Sequence, residues 1–258
     1  MGTITLQNKD KQSGMSNNNN SSSPAILNVV ISGASRGIGK TLAAQFAQAG
    51  HQLLLTAQHE EKLQATIKEL KQAYPQSTIH GKAADLSNKE EVIAFGRWCL
   101  SFGEPDILIN NAGQFKPGAL AEEPEGQLEQ QLAINLGSAY HLTRTLLPDM
   151  VQRGTGHIFN ICSIASLQAY PNGGSYSISK FALHGFTKNL REELKPAGVK
   201  VTGVYPGAVF TDSWGDFDNS TGRIMEATDI ALMVYQASQL SPQACVEEIV
   251  LRPQLGDL

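Results

Sequence analysis

Short runs rich in Val, Ile and Leu alternate along this chain with longer stretches whose apolar positions recur at helical spacing. Asn-Val-Val-Ile-Ser at 28–32 is apolar through its middle and runs into a glycine-rich turn, as a strand buried on both faces does. Comparable runs at 53–56, 78–83, 106–110, 157–162, 200–205 and 246–251 read as further strands. The helical period takes over at 40–49, 59–73, 89–102, 128–150, 176–194 and 229–239, with Pro148 expected to kink or end the fourth of these helices. Alternating strands and helices imply parallel pairing through right-handed crossovers. The expected fold is therefore α/β, a doubly wound parallel sheet in a single domain. Its ligand is expected at the carboxyl ends of the strands.

Residues 1–23 break the pattern. They are polar, with Asn17 to Asn20 followed by Ser21 to Ser23, and cannot bury enough apolar surface to offset the entropy of ordering. They read as a flexible tail ahead of one domain spanning 24–258, and Met15 is an alternative start. Over the 258 residues, 41% hydrophobic and 17% charged describe an ordinary globular protein. A net charge of −4 supplies no basic field for nucleic acid or an anionic membrane. Cys99, Cys162 and Cys245 lie far apart without a CxxC or a neighbouring His cluster, which suggests reduced thiols and no metal. No run approaches a membrane span and no secretory leader is evident, so a cytoplasmic location is expected.

Candidate chemistry sits at the ends of the strands. Gly33, Gly37 and Gly39, with Ser35, Arg36 and Ile38 between them, form a turn from first strand to first helix. Such a turn lets backbone N–H groups approach a pyrophosphate at the helix N-terminus. Asn111-Ala112-Gly113 follows the fourth strand and either borders a bound dinucleotide or is simply a good turn. Asp85, beside Leu86, either accepts a hydrogen bond from an adenine amine or caps the helix beginning near Ser87. Tyr176 and Lys180 stand four apart, one helical turn, which puts phenol and ammonium on one face. A neighbouring cation lowers a phenol's pKa from its usual value near ~10, making Tyr176 a proton donor or acceptor. Ser163 precedes it by thirteen residues.

Gly33–Gly39, Asn110–Gly113, Asn135, Ser163, Tyr176 with Lys180, and Pro206-Gly207-Ala208-Val209-Phe210-Thr211 together resemble the short-chain dehydrogenase/reductase family, in the family's order. The resemblance covers nearly everything after the tail. It implies a Rossmann-type domain using NAD(H) or NADP(H). Within it, Asn135, Ser163, Tyr176 and Lys180 match the catalytic tetrad. Tyr176 protonates the substrate oxygen, Ser163 orients it, Lys180 holds the nicotinamide ribose and stabilises phenolate, and Asn135 positions a water leading from Lys180 to solvent. Pro206, Gly207, Val209 and Thr211 would bind the cofactor, with Thr211 on its carboxamide. Where NAD-using members carry an Asp after the second strand, this chain has Ala57 followed by Gln58 and His59. Arg36 matches the family's phosphate-binding cation, so NADP(H) is favoured over NAD(H).

The segment 212–222, with Trp214 and Phe217, reads as a short substrate loop. The ending 246–258 resembles bacterial sepiapterin-reductase-like members, so Asp257 either reaches a pterin beside the active site or lies on a frayed, solvated terminus. The implied substrate is a small carbonyl or alcohol, with sepiapterin and 3-oxoacyl thioester as competing choices and a non-catalytic dinucleotide sensor as the alternative. The helices around 128–147 and 176–194 resemble those that pair subunits in the family, implying a homotetramer or homodimer.

Overall fold

The computed structural model describes residues 25–256; the expected tail and Asp257 lie outside them. Strands β1 (Asn28–Ser32), β2 (Gln52–Thr56), β3 (Ile79–Gly81), β4 (Ile107–Asn110), β5 (Gly156–Ile161), β6 (Val199–Pro206) and β9 (Glu248–Leu251) form one sheet in the order β3-β2-β1-β4-β5-β6-β9. Every neighbouring pair is parallel. Two-residue strands β7 (Val209–Phe210) and β8 (Met225–Glu226) pair separately above it, a ribbon too short to leave a sequence signal.

Alternation along the strands divides the interior. Val29 and Ile31 point into a core shared with α1 (Gly37–Gln48), α2 (Glu60–Ala73) and α7 (Ala227–Ser238), through Phe46, Leu63 and Val234 among others. Val30 and Leu108 point the opposite way, toward α3 (Lys89–Leu100), α5 (Ser138–Arg153) and α6 (Gly174–Leu194), where Phe95, Leu146 and Leu190 meet them. A strand covered on both faces has no polar face to show, which is why these runs read as continuously apolar. The direction of travel reverses between β1 and β4, and there the crevice of a doubly wound sheet opens.

Two departures from expectation concern the fourth helix. Pro148 neither ends nor interrupts it: α5 continues to Arg153 and closes on left-handed Gly154, whose N–H bonds the Met150 and Val151 carbonyls. An interior proline costs about 3 kcal/mol. Leu146 and Met150 flank it and are fully buried, each side chain stabilising by about 1.5–3 kcal/mol, so packing carries the helix through. Upstream, the expected single helix divides into α4 (Gln127–Leu132) and α5, joined by a π-turn over Ala133–Gly137. The Ser138 N–H reaches back five residues to the Ala133 carbonyl. Such wide turns recur at functional sites; here the turn carries Asn135. Strands at 78–83 and 246–251 are shorter than expected, at Ile79–Gly81 and Glu248–Leu251.

Candidate active site

The turn after β1 is shaped by its glycines. Gly33 has φ +67°, a left-handed conformation natural to glycine, and a Cβ there would stand 2.9 Å from Ala112 Cα. A Cβ on Gly39 would overlap the Gly33 carbonyl oxygen. Asn111 fastens this turn, its side chain donating to the Ser32 and Gly33 carbonyls at 3.0 Å each. The Asn111 and Ala112 N–H groups both donate to Ser32 Oγ at 3.0 Å. Asn111 therefore braces the glycine turn as well as lining the crevice. The first turn of α1 holds no acidic residue and Arg36 makes no side-chain cap, which leaves the N-terminal amides and dipole for an anion.

A cleft of about 1170 Å³ runs from this turn across the strand ends. Pockets for single small ligands enclose roughly 300–1,000 Å³, so the cleft has room for an extended dinucleotide and a small second molecule. Of the residues singled out from the sequence, Gly33, Ser35, Arg36, Gly37, Ile38, Gly39, Gln58, Asp85, Leu86, Asn111, Ala112, Gly113, Ser163, Tyr176, Lys180, Pro206, Gly207, Val209 and Thr211 all line it. Thr211 lies over the glycine turn; a Cβ on Gly37 would stand 3.3 Å from its Cγ2. Asp85 is not a helix cap: its carboxylate turns onto Ser87, accepting from the N–H at 3.0 Å and the hydroxyl at 2.7 Å. Asn88 caps α3, accepting from the Glu90 and Glu91 N–H groups.

Asn135 does not line the cleft. Wholly buried, it accepts from the Gln114 N–H at 2.7 Å and faces the Gln114 carbonyl, Gln131 Oε1 and Ser179 Oγ with its amide nitrogen. Its side chain is thus committed to protein partners rather than turned to the cleft. A Cβ on Gly113 would stand 3.0 Å from Asn135 Oδ1 and 3.5 Å from Lys180 Nζ, so these three residues converge.

Tyr176 is 9% exposed, its hydroxyl turned toward Ser163. Ser163 also caps the short turn Ile164–Ser166, its Oγ accepting from the Ala165 N–H at 3.1 Å. Lowering of the Tyr176 pKa by Lys180 is reversed in the structure. Burial pushes the phenol up to about 12, with the neighbouring Ser163 opposing only in part. The Lys180 ammonium instead donates to the Ile161 carbonyl at 3.0 Å and lies 6.0 Å from the Tyr176 ring centroid. Burial pushes its own pKa down. Phe115 packs edge-on against Tyr176, with centroids 4.8 Å apart.

Several contributors escaped the sequence reading. Lys62, in the first turn of α2, lines the same end of the cleft as Arg36, Gln58 and His59. In the sequence it is one charged residue on a charged helix. Gln114, Phe115, Leu167, Gln168 and Tyr170 line the opposite end. Beneath the site runs a buried polar ladder: Asn110 donates to Thr143 at 2.9 Å and Asn160 at 2.8 Å, and Asn160 donates to Thr187 at 2.9 Å. It ties β4 and β5 to α5 and to α6, the helix bearing Tyr176. Trp214 lines the cleft, its indole N–H held by the Val209 carbonyl at 2.8 Å, while Phe217 stands behind it at 5.1 Å rather than closing over the cleft.

The short-chain dehydrogenase family model matches residues 27–221. The chain belongs to the short-chain dehydrogenase/reductase family. It is an oxidoreductase of that family with the family's sheet. It is 33% identical over 225 residues to an uncharacterized oxidoreductase of Staphylococcus saprophyticus, covering 87% of this chain and 96% of that protein. To sepiapterin reductase of Chlorobaculum tepidum it is 32% identical over 240 residues, covering 89% and 97%. A metagenomic short-chain oxidoreductase solved in complex with NADP superposes with a TM-score of 0.79 at 32% identity, covering 90% of this chain and 99% of that one. Among the described residues no group of His, Cys, Asp or Glu is arranged to hold a metal, and no helix is long and apolar enough to cross a membrane.

Proposed function

We propose that this dehydrogenase reduces a small carbonyl compound with NADPH, Tyr176 donating the proton. The observation that carries the reading is the convergence of Tyr176, Ser163 and Lys180 at the inner wall of a cleft whose far end is built for an anionic nucleotide. The glycine turn, packed too closely against Asn111 and Ala112 to admit side chains, and the uncapped N-terminus of α1 fit a dinucleotide. Gly33, Ser35, Arg36, Gly37, Ile38 and Gly39 would hold its phosphates. Gln58, Asp85 and Leu86 would border the adenosine, with Asn111, Ala112, Gly113, Pro206, Gly207, Val209 and Thr211 along the nicotinamide half. When bound, the cofactor supplies the hydride.

The chain's own residues supply geometry and a proton. A phenol near 12 is fully protonated at neutral pH, which suits donation to a carbonyl oxygen as negative charge develops there. The Ser163 hydroxyl shares that oxygen and fixes its direction. Lys180, poised between Ile161 and Gly113, offers its positive charge to the phenolate left after transfer and its N–H bonds to ribose hydroxyls. Asn135 holds Gln114 and the π-turn in place, and the wide turn's main chain is where a water toward Lys180 would bind.

Cofactor choice follows from charge. Leu55-Thr56-Ala57 ends β2 without a carboxylate, and two cations, Arg36 and Lys62, line that end. Together with an NADP complex among its solved relatives, this favours NADP(H) over NAD(H). A pterin ketone is the second substrate reading, favoured by the sepiapterin reductase relative. The protein would act as a homodimer or homotetramer in the cytoplasm, its α5 and α6 helices pairing through exposed Tyr140, Val151, Ile178 and Phe181.

The test is NADPH consumption with 2,3-butanedione, 1-phenyl-1,2-propanedione, sepiapterin and acetoacetyl-CoA, for wild type and Tyr176→Phe. The substitution keeps the ring against Phe115 and removes only the hydroxyl. Turnover should fall by about 10²–10⁴ with NADPH affinity preserved. Turnover of the variant near the wild-type rate would reject Tyr176 as the donor.

A further inference from the structure

The helix that presents Tyr176 begins in an unusual way. Its N-cap position, Gly173, has no side chain to offer, and its first turn holds no acid. The cap comes instead from Glu123, which precedes it by some fifty residues and lies in the loop between β4 and α4. Glu123 Oε1 accepts the Ser175 backbone N–H at 2.8 Å, and its other oxygen accepts the Ser175 hydroxyl. One orphan N–H of this end of α6, together with a serine hydroxyl of its first turn, is thereby satisfied by one carboxylate, favourably placed against the helix dipole.

An independent feature shows that the contact is built in. Gly174 sits at φ +46°, and a Cβ there would overlap both Glu123 Oε1 and the Gly118 carbonyl oxygen, so the loop seats only because this position is glycine. The same loop is held elsewhere by Asn135 on the Gln114 backbone and by Gln127 donating to the Lys116 carbonyl at 3.5 Å. It also carries Phe115, edge-on against the Tyr176 ring. One loop therefore touches Tyr176 twice: on its ring, and through Ser175, the residue before it.

We propose that Glu123 is a positioning residue, its carboxylate clasping the first turn of α6 so that the Tyr176 hydroxyl stays in register with Ser163 and the 114–126 loop stays seated beside it. The proposal rests on the reading of Tyr176 as proton donor. The serine contacts hold Glu123 below the ordinary carboxylate range, so the clasp is charged at neutral pH.

Amide hydrogen exchange and kinetics on Glu123→Ala, Glu123→Gln and Ser175→Ala test it, using the full chain and 1-phenyl-1,2-propanedione with NADPH. In Glu123→Ala, exchange across 174–179 and the 114–126 loop should rise about tenfold, peptides elsewhere staying as in wild type, because a lost contact opens only the segments it joined. The kcat should drop about five- to tenfold, with KM and NADPH affinity within twofold of wild type, as misplacement of a reacting group does. Glu123→Gln, which keeps one acceptor, should recover part of both effects, and Ser175→Ala should reproduce the alanine result in weaker form. Unchanged exchange at 174–179, faster exchange throughout the protein, or loosened exchange with normal kcat would each overturn the clasp. An active Tyr176→Phe would instead undo the donor assignment, while exchange at 174–179 would still report on the cap.

Discussion

At the scale of single residues, environment decides what each functional group can do. Tyr176 and Lys180 stand one helical turn apart, yet the ammonium turns to Ile161 and burial governs the phenol. Spacing put the two groups on one face; it could not say which way the lysine points. Arg36 and Lys62 make a similar contrast, since one lay in a recognisable motif and the other in an unremarkable helix, and both line the same end of the cleft. Arg36→Ala is expected to weaken NADPH by about 10–100-fold and NADH far less, because only NADPH presents the 2′-phosphate to a charge-assisted contact. Lys62→Ala should follow in the same direction with a smaller loss. Fluorescence titration of both cofactors measures this, and equal losses for NADPH and NADH would make either residue merely structural.

Among the elements, β5 and β6 carry a pH-sensitive contact. His157 Nε2 meets Thr202 Oγ1 at 2.7 Å, and Thr202 in turn donates to the Val246 carbonyl at 2.5 Å, so the ring nitrogen facing Thr202 bears the hydrogen. The imidazole stacks on Phe159 at 3.9 Å and its Nδ1 has no partner. Burial pushes its pKa from 6.5 down to about 3, with Lys200 adding to the effect. In this window the unfolded chain binds the proton and the folded chain does not. Stability from His157 is therefore complete above 6.5 and is lost as pH falls toward about 3. The full loss is on the order of 5 kcal/mol. Urea midpoints between pH 7 and pH 4 should fall more steeply for wild type than for His157→Gln; parallel curves would show that another group governs acid lability. Helix α5 teaches a related lesson, since the proline that local rules expect to end it is outweighed by Leu146 and Met150 on either side.

For the molecule as a whole, the apolar positions left exposed on α5 and α6 are expected to pair two copies. Phe181→Asp would place a charge in that seam and should shift the protein toward monomer in sedimentation equilibrium while leaving the monomer folded; an unchanged mass would move the interface elsewhere. The sequence by itself determined the α/β class, the parallel sheet and most of the cleft. Buried strands and helices carry periods that survive in any context, and the glycine turn and Tyr-Lys pair are local patterns bound to their elements. What it left undecided came from distant segments meeting. Asn111 braces the glycine turn, Asn135 turns inward to Gln114, Glu123 reaches Ser175, and Lys62 joins Arg36. Each of these pairings joins positions separated along the chain, with nothing in the local composition to mark them. Only the tertiary structure settled them, because hydrogen-bond partners and desolvation depend on which surfaces the folded sheet and its helices bring together rather than on neighbours in sequence.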